Sequence, residues 1–287
     1  MEIQVILAHY DAMFGKYSLL DIEAYLYKNI EKAKELSETA ALFTLLNEMI
    51  GFCRDTTQKE KALQYCQQVL ALMKRLGLEG SIEYATSLIN VAKAYRAFGV
   101  LQDSLLMYQE VEACYKKHLA DTDFRFATLY NNMSLLYQEM NDFEGARDLL
   151  KQSLQVVDLY PEAEIAKANT RTNLAASMLK IYQEQKEQAV YEEDIAYLKE
   201  ALEIYEKDGG VDFHYNAALS AMGDAKFLAG DYENAVSYYE RSMEELEKHV
   251  GRTDNYERVR EKWLAAKDKS QRKGCEERAR DSLRCEG

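Results

Sequence analysis

The 287-residue chain contains one proline, 13 glycines and one tryptophan. So few helix breakers leave little room for a turn-rich or collagen-like chain and favour long, uninterrupted helices. Cysteine is also scarce. Five residues, an odd number, follow a start at Met1-Glu2-Ile3 that lacks a basic leader region. This pattern fits a reducing, cytoplasmic setting and not a disulfide-framed secreted domain. No apolar run approaches the roughly 20 residues needed to span a bilayer, so no membrane partner is expected. Cations are the minority charge: 36 Lys and Arg stand against 49 Asp and Glu, a net charge of −13. A chain of that sign repels a phosphate backbone, which excludes nucleic acid as the expected partner. What remains is 47% hydrophobic and 30% charged, with 21 tyrosines, enough apolar material for a continuous core in a soluble protein.

Chemical motifs are absent too. His9, His118, His214 and His249 are scattered and form no H-E-x-x-H or other metal-ligand spacing. Cys53, Cys66 and Cys114 fall in helical segments and read as small apolar core residues. Cys275 and Cys285, ten residues apart, match neither a zinc knuckle nor a redox C-x-x-C. No Walker sequence, dinucleotide glycine motif or G-x-S-x-G occurs. Neither cofactor nor metal nor enzyme activity is implied.

An internal repeat dominates the sequence. YATSLINVAKAYRAFGVLQDS (84–104) lies over FATLYNNMSLLYQEMNDFEGA (126–146) without a gap at an offset of 42, and YNAALSAMGDAKFLAGDYENA (215–235) is a further copy. Each copy reads helix, turn, helix. A small residue near the start of each second helix marks the period: Ala62, Ser104, Ala146, Asp194 and Ala235, spaced 42, 42, 48 and 41. Apolar residues recur at helical spacing within each copy, as in Leu88, Val91, Ala92 and Tyr95, then Leu101, Leu105, Tyr108 and Val111. One face of every helix is therefore expected to be buried.

These residues resemble the tetratricopeptide repeat, W-x2-L-G-x2-Y followed by A-x3-F, A and P. Leu219, Met222, Gly223, Ala235, Tyr239 and Ser242 fill the pattern in the last copy. Tyr130, Met133, Ser134, Tyr137, Ala146, Leu150 and Ser153 fill it in the third. Leu88, Val91, Ala92, Tyr95, Ser104, Tyr108 and Val111 fill it in the second, and Cys53, Ala62, Cys66 and Val69 in a divergent first. The characteristic Trp and Pro are missing. The 42-residue period is similar to that of kinesin light chains, whose Asn-Asn-Leu-Ala is echoed by Asn131-Asn132-Met133-Ser134 and Thr172-Asn173-Leu174-Ala175. The only proline, in Tyr160-Pro161-Glu162-Ala163, sits where that family has a His-Pro link.

The resemblance implies an all-α, right-handed α-α superhelix of 12 or 13 antiparallel helices. It divides into a degenerate helix pair (1–38, split near Gly15), five repeats (39–251) and a capping helix with a polar tail (252–287). In the cap, Tyr256, Val259, Trp263 and Leu264 are expected to share one face, covering the apolar end that a solenoid otherwise leaves in water. From Lys267 the sequence is nearly all polar and compatible with partial disorder. Residues 252–287 carry +3 against −16 for the rest. The fourth repeat has extra polar length at 181–191, expected to extend its hairpin, and Gly209-Gly210 a helix stop.

In the family, the first helix of each repeat lines the inner surface. Thr86 and Asn90, Thr128 and Asn132, and Asn169 and Asn173 form i, i+4 pairs on such helices. An amide supplies a donor and an acceptor, so such rungs can clasp the main chain of an extended peptide. Neighbouring helices lie roughly 8 to 10 Å apart and an extended chain rises roughly 3.3 Å per residue. Three rungs thus suit about 6 to 10 residues. Lys93, on the face of Asn90, would add a cation. The alternative is that these amides bond neighbouring helices and set the stacking angle. Glu48 and Ala221 interrupt the ladder in the first and fifth repeats.

The expectation is a non-enzymatic scaffold for a peptide or partner protein. A structural protein acting by self-association through exposed ends or the charged tail is the alternative of a different class. A chaperone-tail clamp would need Lys and Arg on successive inner helices, where this chain has Thr, Asn and one Lys. A peptide-sensing regulator would need a basic DNA-binding helix pair, which 2–37 does not supply.

Overall fold

A computed structural model describes the backbone of residues 1–209, 213–249 and 251–285, with side chains at all of these but 213 and 274–285. Among the described residues there are thirteen α-helices and no strand. They are α1 (Ile3–Met13), α2 (Leu19–Glu35), α3 (Thr39–Asp55), α4 (Lys59–Arg75), α5 (Ile82–Ala97), α6 (Leu101–His118), α7 (Phe124–Glu139), α8 (Phe143–Val157), α9 (Glu164–Gln185), α10 (Gln188–Lys207), α11 (Phe213–Leu228), α12 (Tyr232–His249) and α13 (Asp254–Cys285). The chain folds as two compact units, Met1–Leu136 and Tyr137–Gly287. In the first, α3 pairs with α4 and α5 with α6, and α3 also packs on α5. In the second, α9 pairs with α10, α11 with α12 and α12 with α13, while α9 packs on α11.

The small-residue slots explain the pairing. Ala62, Ser104, Ala146, Asp194 and Ala235 all have no exposed surface, because this position is where a second helix presses closest to its first. One turn later, Cys66, Tyr108, Leu150, Leu198 and Tyr239 are buried, and a side chain of that size contributes about 1.5–3 kcal/mol on burial. Buried hydroxyls need partners. Ser104 Oγ donates to the Ala92 carbonyl across its hairpin at 2.8 Å, and Ser242 Oγ to that of Asn216 at 2.9 Å. At Gly223 a Cβ would lie 2.6 Å from the Tyr239 ring, so only glycine permits this approach. The three described cysteine side chains are buried free thiols, and burial pushes Cys53 up to about 11 and Cys66 to about 12.

The turn from first to second helix is equally periodic. Thr57, Gly99, Asn141, Lys186 and Gly230 each adopt a positive φ, between 57° and 76°. This left-handed residue reverses the chain at a helix C-terminus. The long fourth hairpin is present: α9 and α10 have 22 and 20 residues, where the other repeat helices have 15 to 18. Its extension is packed by Tyr182 against Tyr191, ring centroids 5.2 Å apart. Gly209 follows α10 with φ 90°; Gly210 lies outside the described residues.

One expectation for the C-terminal segment needs correction. Leu264 is exposed, whereas Tyr256, Val259 and Ala266 are buried on α12 beside Trp263. At about 100° per residue, position 264 turns away from the stripe that 256, 259, 263 and 266 share. The polar segment from Lys267 continues as helix to Cys285, its start held by Lys267 over the Trp263 ring (4.4 Å) and by Lys273 Nζ donating to the Gly230 carbonyl (3.1 Å). The side chains of Cys275 and Cys285 are outside the described set.

Candidate functional site

In the first unit, α5 carries Thr86, Asn90 and Lys93 on one side. Asn90 Nδ2 donates to Asn47 Oδ1 on α3 at 3.1 Å, while Asn47 Nδ2 donates to the Phe43 carbonyl (3.0 Å) and Ser87 Oγ (3.3 Å). An amide bridge thus joins consecutive first helices. Asn132 on α7 donates to its own helix at Thr128 O, 2.8 Å. Among the described residues, the second N–H and the Oδ1 of Asn90 and Asn132 carry no protein partner. Thr86 and Thr128 are exposed, with Thr86 Oγ1 bonded to the Ile82 carbonyl at 2.9 Å. Lys93 is half-buried, and no carboxylate pairs with it among the described residues. Burial lowers its pKa, and the nearby Arg54 charge lowers it further.

In the second unit, Asn169 faces the second helix of its own repeat, where its Oδ1 accepts from the Tyr205 hydroxyl. Asn173 is partly buried, and its backbone carbonyl accepts from Gln138 Nε2 at 3.4 Å and Ser177 Oγ at 3.3 Å. Beyond Asn173 lies a cavity of about 420 Å³, walled by α9, α11, α12 and α13. Its edge holds a fixed polar chain. Tyr239 donates to Asp224 Oδ1 at 2.6 Å and Lys262 to Asp224 Oδ2 at 2.7 Å. Burial, helped by the Asp224 charge, holds the Tyr239 hydroxyl well above its usual range.

Models of the tetratricopeptide repeat match residues 41–117, 126–157 and 218–254, together about half of the chain. The chain belongs to the tetratricopeptide repeat family. Solved structures agree on the fold. BtubC (BKLC) from P. vanneervenii shares 16% identity over 80% of this chain and 91% of its own, with a TM-score of 0.65. A putative kinesin light chain of Podosopora anserina, built of nearly identical TPR-like repeats, shares 17% over 71% and 94%, TM-score 0.57. NprR, solved in complex with its cognate peptide NprX, shares 13% over 90% and 71%, TM-score 0.61. No curated protein matches the sequence. This tetratricopeptide repeat protein is thus an all-α solenoid with repeats of the kinesin-light-chain type, and no helix among its described residues is long and apolar enough to cross a membrane.

Two features of the first-helix face escape sequence reading. Asn47 is 43 residues from its partner Asn90, one off the repeat, so the period points to Glu48 instead. The cavity is lined largely by alanine and other apolar side chains, which carry no polar pattern to find.

Proposed function

We propose that this tetratricopeptide repeat protein is a non-enzymatic scaffold that holds a peptide or partner protein along the first helices of its repeats. We take 39–251 as the five repeats, 1–38 as a preceding helix pair and 252–287 as the cap with its tail. The carrying observation is that Asn90 and Asn132 each use one N–H inside the protein and keep a second N–H and an Oδ1 available. Main-chain recognition needs that donor and acceptor pair. Thr86 and Thr128 extend the polar face within the first unit, Asn173 offers a further amide in the second, where Asn169 positions α9 through Tyr205, and Lys93 supplies a cation that no carboxylate pairs with among the described residues. A peptide complex of the similarly folded NprR supports the reading by analogy of fold alone. Buried reduced thiols fit a cytoplasmic setting. Peptides selected from a random displayed library on the wild-type protein test the reading. Asn90→Ala, Asn132→Ala and Asn173→Ala are each expected to weaken them about tenfold, near 1.4 kcal/mol for one lost hydrogen bond, with helicity unchanged. Equal affinity in all three would remove the claim.

A second reading, self-association, is favoured by the turn between α1 and α2. Phe14 and Tyr17 in the turn and Leu19 and Leu20 at the start of α2 are all exposed, Leu20 at 79%, a cluster of apolar side chains that a monomer ordinarily covers. Light scattering separates the readings. Under self-association, mass rises with concentration and Leu20→Lys returns a monomer; a monomer at all concentrations, with or without 267–287, rejects it.

A further inference from the structure

The cavity of the second unit goes beyond the scaffold reading, because its walls suit a small molecule. Ala176 on α9, Ala221 on α11 and Ala265 on α13 leave the space open, and Leu179 and Phe227 supply apolar lining. About 420 Å³ falls within the 300–1,000 Å³ range of small-ligand sites, which pair an apolar lining with a few polar groups. The polar groups here are not equivalent. Lys262 is committed to Asp224, and Asp224 to Tyr239. Lys180 touches only Gln183 Oε1, at 3.5 Å, and no carboxylate pairs with it among the described residues. One uncommitted cation therefore stands at the edge of an apolar hollow.

The same walls fit a peptide main chain poorly. Where the second and third repeats have Asn90 and Asn132, the fifth has Ala221, so the donor and acceptor pair is replaced by a methyl group. Gln183 is the one amide lining the cavity, against the successive amides of Asn90 and Asn132 in the first unit.

We propose that this cavity binds a small amphiphilic carboxylate, an aryl or medium-chain alkyl body in the hollow with its anion on Lys180. Attraction is local, since the chain as a whole carries a net charge of −13 and repels anions at long range. Salt is therefore expected to weaken binding at Lys180 without abolishing it, because the apolar contacts remain.

The test is titration of the full chain with decanoate by calorimetry, and with 8-anilinonaphthalene-1-sulfonate by fluorescence. Trp263, the only tryptophan, lies on α13 beside Lys262 and serves as energy donor to the bound dye. Saturable one-to-one binding of both probes, with decanoate displacing the dye, is expected. Ala221→Phe and Ala265→Leu should each weaken decanoate at least tenfold by filling the space. Ala265 is exposed, so the second variant keeps the test open if the first fails to fold. Lys180→Glu should cost about fivefold with helicity unchanged, the modest effect of an exposed charge. No saturable decanoate binding overturns the proposal, as does binding that both filled variants leave intact. Binding confined to the uncharged blocked peptide acetyl-Phe-Ala-amide, with decanoate inert, would overturn it in favour of a peptide anchor.

Discussion

Asp194 shows what a single residue can cost. It occupies the slot that Ala62, Ala146 and Ala235 fill with a methyl group, it is fully buried, and neither carboxylate oxygen has a hydrogen-bond partner among the described residues. Burial pushes its pKa from 3.8 up to about 8. Because the folded value lies above the unfolded one, the protein takes up a proton on folding between these limits. Stability from the neutral carboxyl is complete below about pH 4 and is lost as pH rises through about 8. Asp194→Ala is therefore expected to stabilise the protein, by about 2 kcal/mol at pH 8 and less at pH 5, given the cost of an unsatisfied buried polar group. Urea unfolding at the two pH values checks this; a destabilised variant, or a gain that shrinks as pH rises, would contradict it. The slot itself was legible from the repeat, 48 residues after Ala146 and 41 before Ala235. Its ionisation was not, because desolvation depends on helices that meet only in three dimensions.

At the level of the element, the period is written in turns as well as in cores. Gly99 and Gly230 are ordinary choices for the left-handed position, but Thr57 holds a β-branched side chain at φ 58°. An L-residue there costs about 1–2 kcal/mol relative to glycine. Thr57→Gly is expected to raise stability by about 1 kcal/mol net of the greater freedom of glycine in the unfolded chain, read as a Tm increase in calorimetry. A lowered Tm would show that Thr57 makes contacts worth more than its strain. The repeat helices and the longer fourth hairpin could be read from apolar spacing and chain length. At the C-terminal helix one residue departs from the pattern. Leu264 lies off the buried stripe, while the polar composition after Lys267, compatible with order or disorder, belongs to a Pro-free helix that carries on to Cys285. Hydrophobic pattern reports what is buried, and an exposed polar helix leaves little such trace.

For the whole molecule, the proposed scaffold divides labour between helices: second helices close the hairpins, and first helices would carry recognition. The amide chemistry of Asn90 and Asn132 was visible in the sequence, whereas the turning of Asn169 toward Tyr205, the bridge through Asn47 and the alanine-lined cavity arise only where helices meet in three dimensions. Amide hydrogen exchange with and without a selected peptide tests this division most directly. Slowed exchange is expected in α5, α7 and α9 with α4, α6 and α10 unchanged. Protection centred on the second helices, or confined to the turn between α1 and α2, would contradict it.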